Sequence, residues 1–321
     1  MNFEGILAQF AAMLLALAMA PLLVGWVNQC RAWLQNRSAP PLLQSFRMLH
    51  KLFWKESVVA HGATPMYRIS PYVVFSCMLL ASMIIPTIST NLPLAPAADA
   101  IALVGLFALA RLFISLAAMD IGTAFGTLGA RREMLIGFLA EPAFLMVLFT
   151  ASLISHSTSL ATIVASLSQR ELTILPSLAF AGIAFTMVSL AENARIPVDN
   201  PTTHLELTMI HEALTLEYSG RHLALLEWAA ALKLFAYSCA GIALFFPWGI
   251  ARANDQVALL WALPVLAAKL AVGGFALAVE ATLSANTPTR ASSATNLFLS
   301  QMGRSVRDMD NLLLETFANP D

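Results

Sequence analysis

The chain has 321 residues, of which 58% are hydrophobic and only 12% are charged, and its mean hydropathy is +0.72. Soluble domains are closer to half apolar and one quarter charged, so this composition excludes an ordinary soluble protein. The formal net charge of −1 points to no charged partner, and nucleic acid is not expected as one.

Seven apolar runs are long enough to cross a bilayer, which takes about 20 residues per helix. We therefore predict an all-α, polytopic membrane helical bundle with about seven transmembrane helices. Because the first run follows Glu4 and no Lys or Arg, it is interpreted as a retained helix and not as a cleaved signal. The predicted spans are 5–27, 70–90, 101–119, 134–155, 173–191, 223–249 and 257–280.

The basic residues indicate the orientation of the bundle. Thirteen Lys and Arg residues fall in segments that would share one side, and only Arg170 and Arg252 fall on the other. The positive-inside rule then predicts an N-terminus outside and a C-terminus in the cytoplasm. Residues 1–280 would form a single transmembrane domain, and 281–321 a polar cytoplasmic tail with an amphipathic helix. The cytoplasmic loops would be 28–69, 120–133 and 192–222.

The loop 28–69 contains a second amphipathic stretch, from Leu42 to Trp54. Its apolar residues recur at helical spacing, while Arg47, Lys51 and Lys55 occupy other faces. This pattern is typical of a helix lying in the membrane interface. Two interpretations stay open: the basic residues meet anionic lipid headgroups, or they dock a partner subunit.

Several charges lie inside the predicted spans. Arg111 is near the middle of an apolar helix, where a charge costs about 2.5–3.5 kcal/mol on insertion scales. Glu141, at a similar depth in the next span, is the candidate partner. Lys233 and Lys269 raise the same question, whereas carboxylates near helix ends can extend to the headgroups.

The stretch 191–220 holds five carboxylates between two apolar runs, and part of it, from Thr202 to Glu217, has helical composition. Together with His204 and His211 these groups suit proton relay, because burial shifts carboxylate and amine pKa values toward neutral pH. A solvated acidic loop is the alternative interpretation. The candidate relay and coupling residues are Glu141, Glu192, Asp199, Glu206, Glu212, Glu217, Arg195, Lys233 and Arg111.

No motif for a redox centre, nucleotide or catalytic metal is found. The three cysteines are far apart, and no paired histidines lie within the spans. We therefore expect no cofactor in this chain.

The stretch Glu192-Asn-Ala-Arg195-Ile-Pro197-Val-Asp199-Asn-Pro201, followed by Glu206 and then Glu217-Tyr218-Ser219-Gly220, resembles the signature loop of the complex I subunit 1 family. Other matching places are Arg31 to Arg37 with Pro40, Arg111-Leu-Phe, Asp120-Ile-Gly122, and Gly129 to Glu133 leading to Glu141-Pro142. Arg111-Leu-Phe, Asp120-Ile-Gly, Glu141-Pro142 and Trp228 with Lys233 favour the branch of membrane anchor subunits in energy-converting [NiFe] hydrogenases and formate hydrogenlyase.

The resemblance implies a membrane subunit that anchors a peripheral hydrogenase arm and couples electron transfer to proton or sodium movement. It implies iron–sulfur clusters and a nickel–iron site in partners, namely hydrogenase large and small subunits and an iron–sulfur protein, with antiporter-like membrane subunits alongside. It also implies a bacterial or archaeal cytoplasmic membrane. The positions that would dock partners are Arg31, Arg37, Lys51, Arg131, Arg132 and Tyr218.

The chain departs from the family pattern in its loop acids, where it has Thr202 and His204, and at Met48 in the amphipathic stretch. These departures make quinone a doubtful ligand. Two alternatives remain: a stand-alone ion-coupled secondary transporter, and a passive membrane anchor without ion coupling.

Overall fold

The computed structural model describes residues 3–59, 62–87, 98–169, 176–193, 211–249 and 256–286. Over these residues the regular structure is helical, with one isolated β-bridge between Asp99 and Ser159. The predicted all-α membrane bundle is confirmed. The helices are α1 (Phe3–Leu34), α2 (Gln44–Phe53), α3 (Pro65–Ile84), α4 (Ala100–Asp120), α5 (Ala124–Ser155), α6 (Leu160–Gln169), α7 (Pro176–Glu192), α8 (His211–Thr215), α9 (Gly220–Phe245) and α10 (Gln256–Asn286).

Six of these helices, α1, α3, α4, α5, α9 and α10, are long and apolar enough to cross a membrane. They match six of the seven predicted spans. The other, predicted at 173–191, corresponds to α7, whose 17 described residues fall below the length of a full span. Among the six, α9 is the most buried, so it lies at the centre of the bundle.

Two predicted connections are helical in the structure. Most of the loop predicted at 120–133 is the beginning of α5, which starts after Thr123, whose hydroxyl accepts a hydrogen bond from the Gly126 amide. The connection after α5 contains α6, which the apolar pattern did not predict. The apolar pattern marks where lipid contact ends, whereas a helix continues as long as its backbone hydrogen bonds do.

The amphipathic helix predicted from Leu42 to Trp54 is present as α2. It packs against α1 and α9, and the ring of Phe53 contacts Trp228 edge-on at 6.1 Å between centroids. Part of the apolar face of α2 is therefore packed against other helices of the chain. Whether its basic face meets lipid or a partner stays a prediction.

Contacts between connections group the helix ends of α3, α4, α5 and α9 into two ends of the bundle. At one end, Ser219 is hydrogen-bonded to the backbone of Val58, and the Thr64 hydroxyl donates to Asp120. At the other end, Asp99 pairs with Ser159. The first end carries the segments predicted to be cytoplasmic; which side of a membrane it faces stays a prediction. The tail beyond Asn286 lies outside the described residues.

Two stacked tyrosines hold the first end together. The rings of Tyr67 and Tyr218 are 4.1 Å apart and nearly parallel, at 3°. Tyr67 donates to the carbonyl of Glu217 at 2.6 Å, and Tyr218 donates to the carbonyl of Tyr67 at 3.0 Å. Burial raises the pKa of Tyr218 well above its usual value, so its hydroxyl keeps the proton that it donates.

We predict that Gly220→Ala destabilises this end of the bundle. Gly220 has φ +54°, and a Cβ there would lie 2.8 Å from the carbonyl oxygens of Lys55 and Glu56. The left-handed backbone alone costs an L-residue about 1–2 kcal/mol, and the clash adds to it. Thermal unfolding of the purified chain in mild detergent should show a lower Tm than that of the unsubstituted chain.

Gly122→Ala is the matched control, because Gly122 has φ +76° but open space around its Cβ position. It should lower Tm less than Gly220→Ala does. Equal losses in the two variants would show that the close approach to the 55–56 carbonyls is unimportant.

Candidate functional site

A buried ion-pair network lies at the centre of the bundle, and Arg111 is its hub. Arg111 occupies the middle of α4 and is only 7% exposed. Its guanidinium forms ion pairs with three carboxylates: Glu133 at 3.4 Å from Nε, and Glu141 and Glu192 in direct hydrogen bonds. The predicted pairing of Arg111 with Glu141 is confirmed, and two further carboxylates join it.

The local sequence of α5 explains how one guanidinium reaches two carboxylates on the same helix. Glu133, Gly137 and Glu141 follow one another at intervals of four residues and so share a face. Gly137 is buried, and a Cβ at this position would overlap the guanidinium and lie 2.6 Å from Cδ of Arg111. The glycine therefore provides the space in which Arg111 lies between the two acids.

Glu192 connects this arginine to a second cation. It is the last residue of α7, with a side chain only 1% exposed, and its other oxygen lies 2.9 Å from Nζ of Lys233. Lys233 belongs to the middle of α9 and is itself buried. The ion pairs thus join α4, α5, α7 and α9.

His211, the first residue of α8, adds a titratable group at the edge of the network. Its Nδ1 lies 3.6 Å from Glu133. Two cations and three carboxylates give the network a formal charge of 2 − 3 = −1 with a neutral His211. One additional proton, on His211 or on a carboxylate, makes the network neutral.

Two cavities adjoin the network, with volumes of about 210 and 160 Å³. His211, Glu227, Ala230 and Lys233 line both, so the cavities meet at this group of side chains. The larger one also exposes Arg111 and Glu133, and the smaller one extends to Glu192, α1 and α2. Each is large enough for several water molecules and is lined by polar partners for them.

On the other side of the network, four aromatic rings fill the core. The Tyr237 ring stacks on Phe107 at 4.7 Å and contacts Phe144 at 5.2 Å and Phe185 at 6.3 Å. Tyr237 and Phe144 follow Lys233 and Glu141 by about one helical turn, whereas Phe107 and Phe185 precede Arg111 and Glu192 by about one and two turns. The network is therefore bordered by aromatic packing toward the end with the Asp99–Ser159 bridge, and the larger cavity extends as far as the Phe107 ring of this cluster.

The structure places the predicted relay residues in three groups. Arg111, Glu141, Glu192 and Lys233 come together in the network. Glu212 lines the larger cavity from an exposed position, and Glu217 lies apart, beside the tyrosine pair. Arg195, Asp199 and Glu206 lie outside the described residues.

The predicted docking residues are distributed around the first end. Arg37, Lys51 and Arg131 are exposed, and Arg31 and Arg132 are half-buried. Tyr218 is 4% exposed and stacks on Tyr67, so within this chain it organises the end of the bundle. Docking by all six stays a prediction.

Two site residues were not singled out as such from the sequence: Glu133 and Gly137. His211 was named among the relay groups, but its contact with Glu133 was not predicted. The four-residue spacing of Glu133, Gly137 and Glu141 was a usable signal, because it places two acids and a gap on one helix face opposite a buried arginine. The contact of His211 with Glu133 depends on how α8 folds back against α5, which no local pattern shows.

Comparison with known proteins identifies the family. The sequence profile of the NADH dehydrogenase family, the complex I subunit 1 family named above, matches residues 7–291. The chain belongs to this family.

Two relatives from Escherichia coli K12 are similar over most of their length. Formate hydrogenlyase subunit 4 is 32% identical over 266 residues, which is 83% of this chain and 86% of the relative. Hydrogenase-4 component C is 34% identical over 272 residues, or 83% of this chain and 84% of the relative. Among solved structures, a chain of the membrane-bound sulfane sulfur reductase, an archaeal respiratory membrane complex, superposes with a TM-score of 0.71. It is 21% identical, covers 88% of this chain and 90% of its own, and supports the fold.

We predict that Gly137→Ala disrupts the network without changing any charge. The added methyl group would displace the Arg111 guanidinium from its place between Glu133 and Glu141. Overpacking of this kind costs about 1–3 kcal/mol, and misaligned buried ion pairs add to that. Thermal unfolding in mild detergent should show a reduced Tm.

Gly105→Ala in α4 is the control, because nothing lies within 4 Å of its Cβ position. Alanine favours a helix over glycine, so this variant should be neutral or slightly stabilised. A Gly137→Ala chain as stable as the Gly105→Ala chain would contradict the tight fit around Arg111.

Proposed function

We propose that this chain is the membrane subunit of a complex I-like oxidoreductase of the hydrogenase type, and that its buried network takes part in ion coupling. The family membership and the two hydrogenase-system relatives support the first part. The second part of the proposal rests on a group of five buried or partly buried charges, of which Arg111 is the centre.

The energetic argument starts from the cost of these charges. Even a well-paired buried ion cluster is often no more stable than apolar residues of the same volume. Charges at membrane depth are accordingly rare and mark ion or substrate pathways. A bundle that only anchored a partner could fill the space between α4, α5, α7 and α9 with side chains such as those of its aromatic cluster.

The arrangement of the network suits proton relay. Because its formal charge is −1, the network can take up one exchangeable proton and become neutral. Its three carboxylates all pair with Arg111, so each is separated from the others by one side chain. His211 contacts Glu133 where the two cavities meet, so a proton could pass between cavity water and the network there. Arg111 and Lys233 hold the carboxylates in place.

The same geometry bears on the two alternatives. A stand-alone transporter needs access from both sides, but the aromatic cluster around Tyr237 borders the network on one side. A passive anchor needs no titratable core. Both points favour proton relay over these alternatives.

The expected partners follow from this proposal. They are hydrogenase large and small subunits with an iron–sulfur protein on the predicted cytoplasmic end, and antiporter-like subunits in the membrane. The iron–sulfur clusters and the nickel–iron site would belong to those partners. Within the described residues no group of three or more His, Cys, Asp or Glu side chains could hold a metal ion. The proposed location is the cytoplasmic membrane of a bacterium or archaeon.

We predict that affinity purification of the tagged full-length chain from its native membranes, in mild detergent, recovers hydrogenase-type large and small subunits. Mass spectrometry of the eluate identifies them. Recovery of the chain alone, from membranes in which those subunits are expressed, would contradict the proposed complex.

We predict that Glu141→Gln leaves the complex assembled but abolishes its ion translocation. Glutamine keeps the volume and a hydrogen bond to Arg111 while losing the titratable group. The side chain of Glu141 is 29% exposed, so the change costs less stability than one at Glu192. Acidification of inverted membrane vesicles, measured per hydrogen turned over, should fall to background while retention of partner subunits is unchanged.

Glu280→Gln is the matched control, since Glu280 is a partly exposed carboxylate of α10 that takes no part in the network's ion pairs. It should translocate normally. Normal translocation by the Glu141→Gln complex as well would support the passive anchor instead.

A further inference from the structure

Two arginines lie close to the points where α3 and α9 begin. Arg68 is in the first turn of α3, Arg221 is the second residue of α9, and both are exposed. The two helices pack against each other along their length. Within the described ranges neither arginine forms an ion pair with a carboxylate. Two positive charges and two helix N-termini therefore meet at one place on the surface.

A buried histidine directly follows Arg221 in α9. His222 is 8% exposed and meets the ring of Tyr72 edge-on, at 5.9 Å. In the part of the chain that the structure describes, its ring makes this contact and no hydrogen bond. Tyr72 follows Arg68 by one helical turn on the same face, and the charges of Arg68 and Arg221 both act on His222. These four side chains, Arg68, Tyr72, Arg221 and His222, are termed the basic patch.

A stripe of exposed side chains, apolar apart from Ser76, continues from the basic patch along the outer face of α3. Ile69, Tyr72 and Leu80 are 52%, 48% and 44% exposed. Their spacing keeps them on one side of the helix over about 16 Å, given a rise of 1.5 Å per residue. The patch thus lies at the end of a membrane-length helix, where headgroups are found, and the stripe runs into the hydrocarbon region.

We propose that the basic patch binds the headgroup phosphate of an anionic phospholipid, with an acyl chain along the stripe of Ile69, Tyr72 and Leu80. Guanidinium groups bind phosphate oxygens in pairs of hydrogen bonds, and basic pockets between membrane helices recognise anionic headgroups. A free phosphate shares the headgroup chemistry but leaves the stripe uncovered. A soluble protein partner cannot cover residues at hydrocarbon depth. The inference does not depend on the proposed function.

The test is native mass spectrometry of the full-length chain, both alone and in its purified complex. Each sample is titrated with short-chain phosphatidylglycerol, and separately with phosphatidylcholine of the same chain length, glycerol 3-phosphate and inorganic phosphate. We expect retention of phosphatidylglycerol in preference to the other three. The Arg68→Gln/Arg221→Gln variant should lose roughly ten- to thirtyfold in this affinity, because each arginine near an anionic surface contributes on the order of 1 kcal/mol.

Two further variants separate a specific site from general surface charge. Arg68→Lys/Arg221→Lys keeps both charges and should retain most of the preference for phosphatidylglycerol over phosphatidylcholine. Arg131→Gln/Arg132→Gln removes two arginines from the third turn of α5 and should leave the lipid affinity of the isolated chain, in which no partner is docked, unchanged.

Equal retention of the two lipids would overturn the proposal, and so would undiminished phosphatidylglycerol binding by Arg68→Gln/Arg221→Gln. An equal loss in Arg131→Gln/Arg132→Gln would overturn it too, as would binding of glycerol 3-phosphate as tight as that of the lipid. Lipid binding by the isolated chain but not by the purified complex would show that a protein partner covers the patch, and would also count against it.

Discussion

The structure depends on neutralising one guanidinium inside a membrane bundle. Arg111 is surrounded by apolar side chains of α4, and no helix surface facing lipid could accommodate its charge. Three carboxylates from α5 and α7 satisfy it, and Lys233 from α9 compensates for part of the negative charge that they bring. Because these residues belong to four different helices, the electrostatic requirement determines which helices must be neighbours and at what depth.

The surroundings of the network differ along the membrane normal, and this difference suits proton relay. Aromatic rings around Tyr237 exclude water on one side, which strengthens the ion pairs by lowering the local dielectric. The cavities on the other side reach the same pairs through Lys233 and Glu133. A change of charge at the cavity end, for example on His211, therefore acts directly on Glu133 and, through Arg111, on the other two carboxylates.

Much of the fold could be predicted from the sequence because membrane spans are marked by their own composition. The run around Arg111 and its pairing with Glu141 followed from depth alone. The contribution of Glu133 did not, because it lies ten residues into α5, in a stretch where Arg131 and Arg132 had indicated a loop. Likewise, α6 is too short to produce a span signal, and His211 reaches Glu133 only through tertiary contact. Local patterns show which residues are costly to bury, whereas tertiary packing determines which residues compensate them.

Lys269 shows by contrast why the charges around Arg111 suggest more than structural stability. Its Nζ donates to the carbonyls of Phe246 and Trp248 where α9 ends, so a single cation caps a helix and needs no carboxylate. That arrangement consists of one cation and two nearby carbonyl groups. The Arg111 network instead extends over five helices, carries a formal charge of −1 and borders two cavities. A purely structural role would be fulfilled by fewer charges in exact balance, so the excess carboxylate beside water is the feature that points to proton exchange.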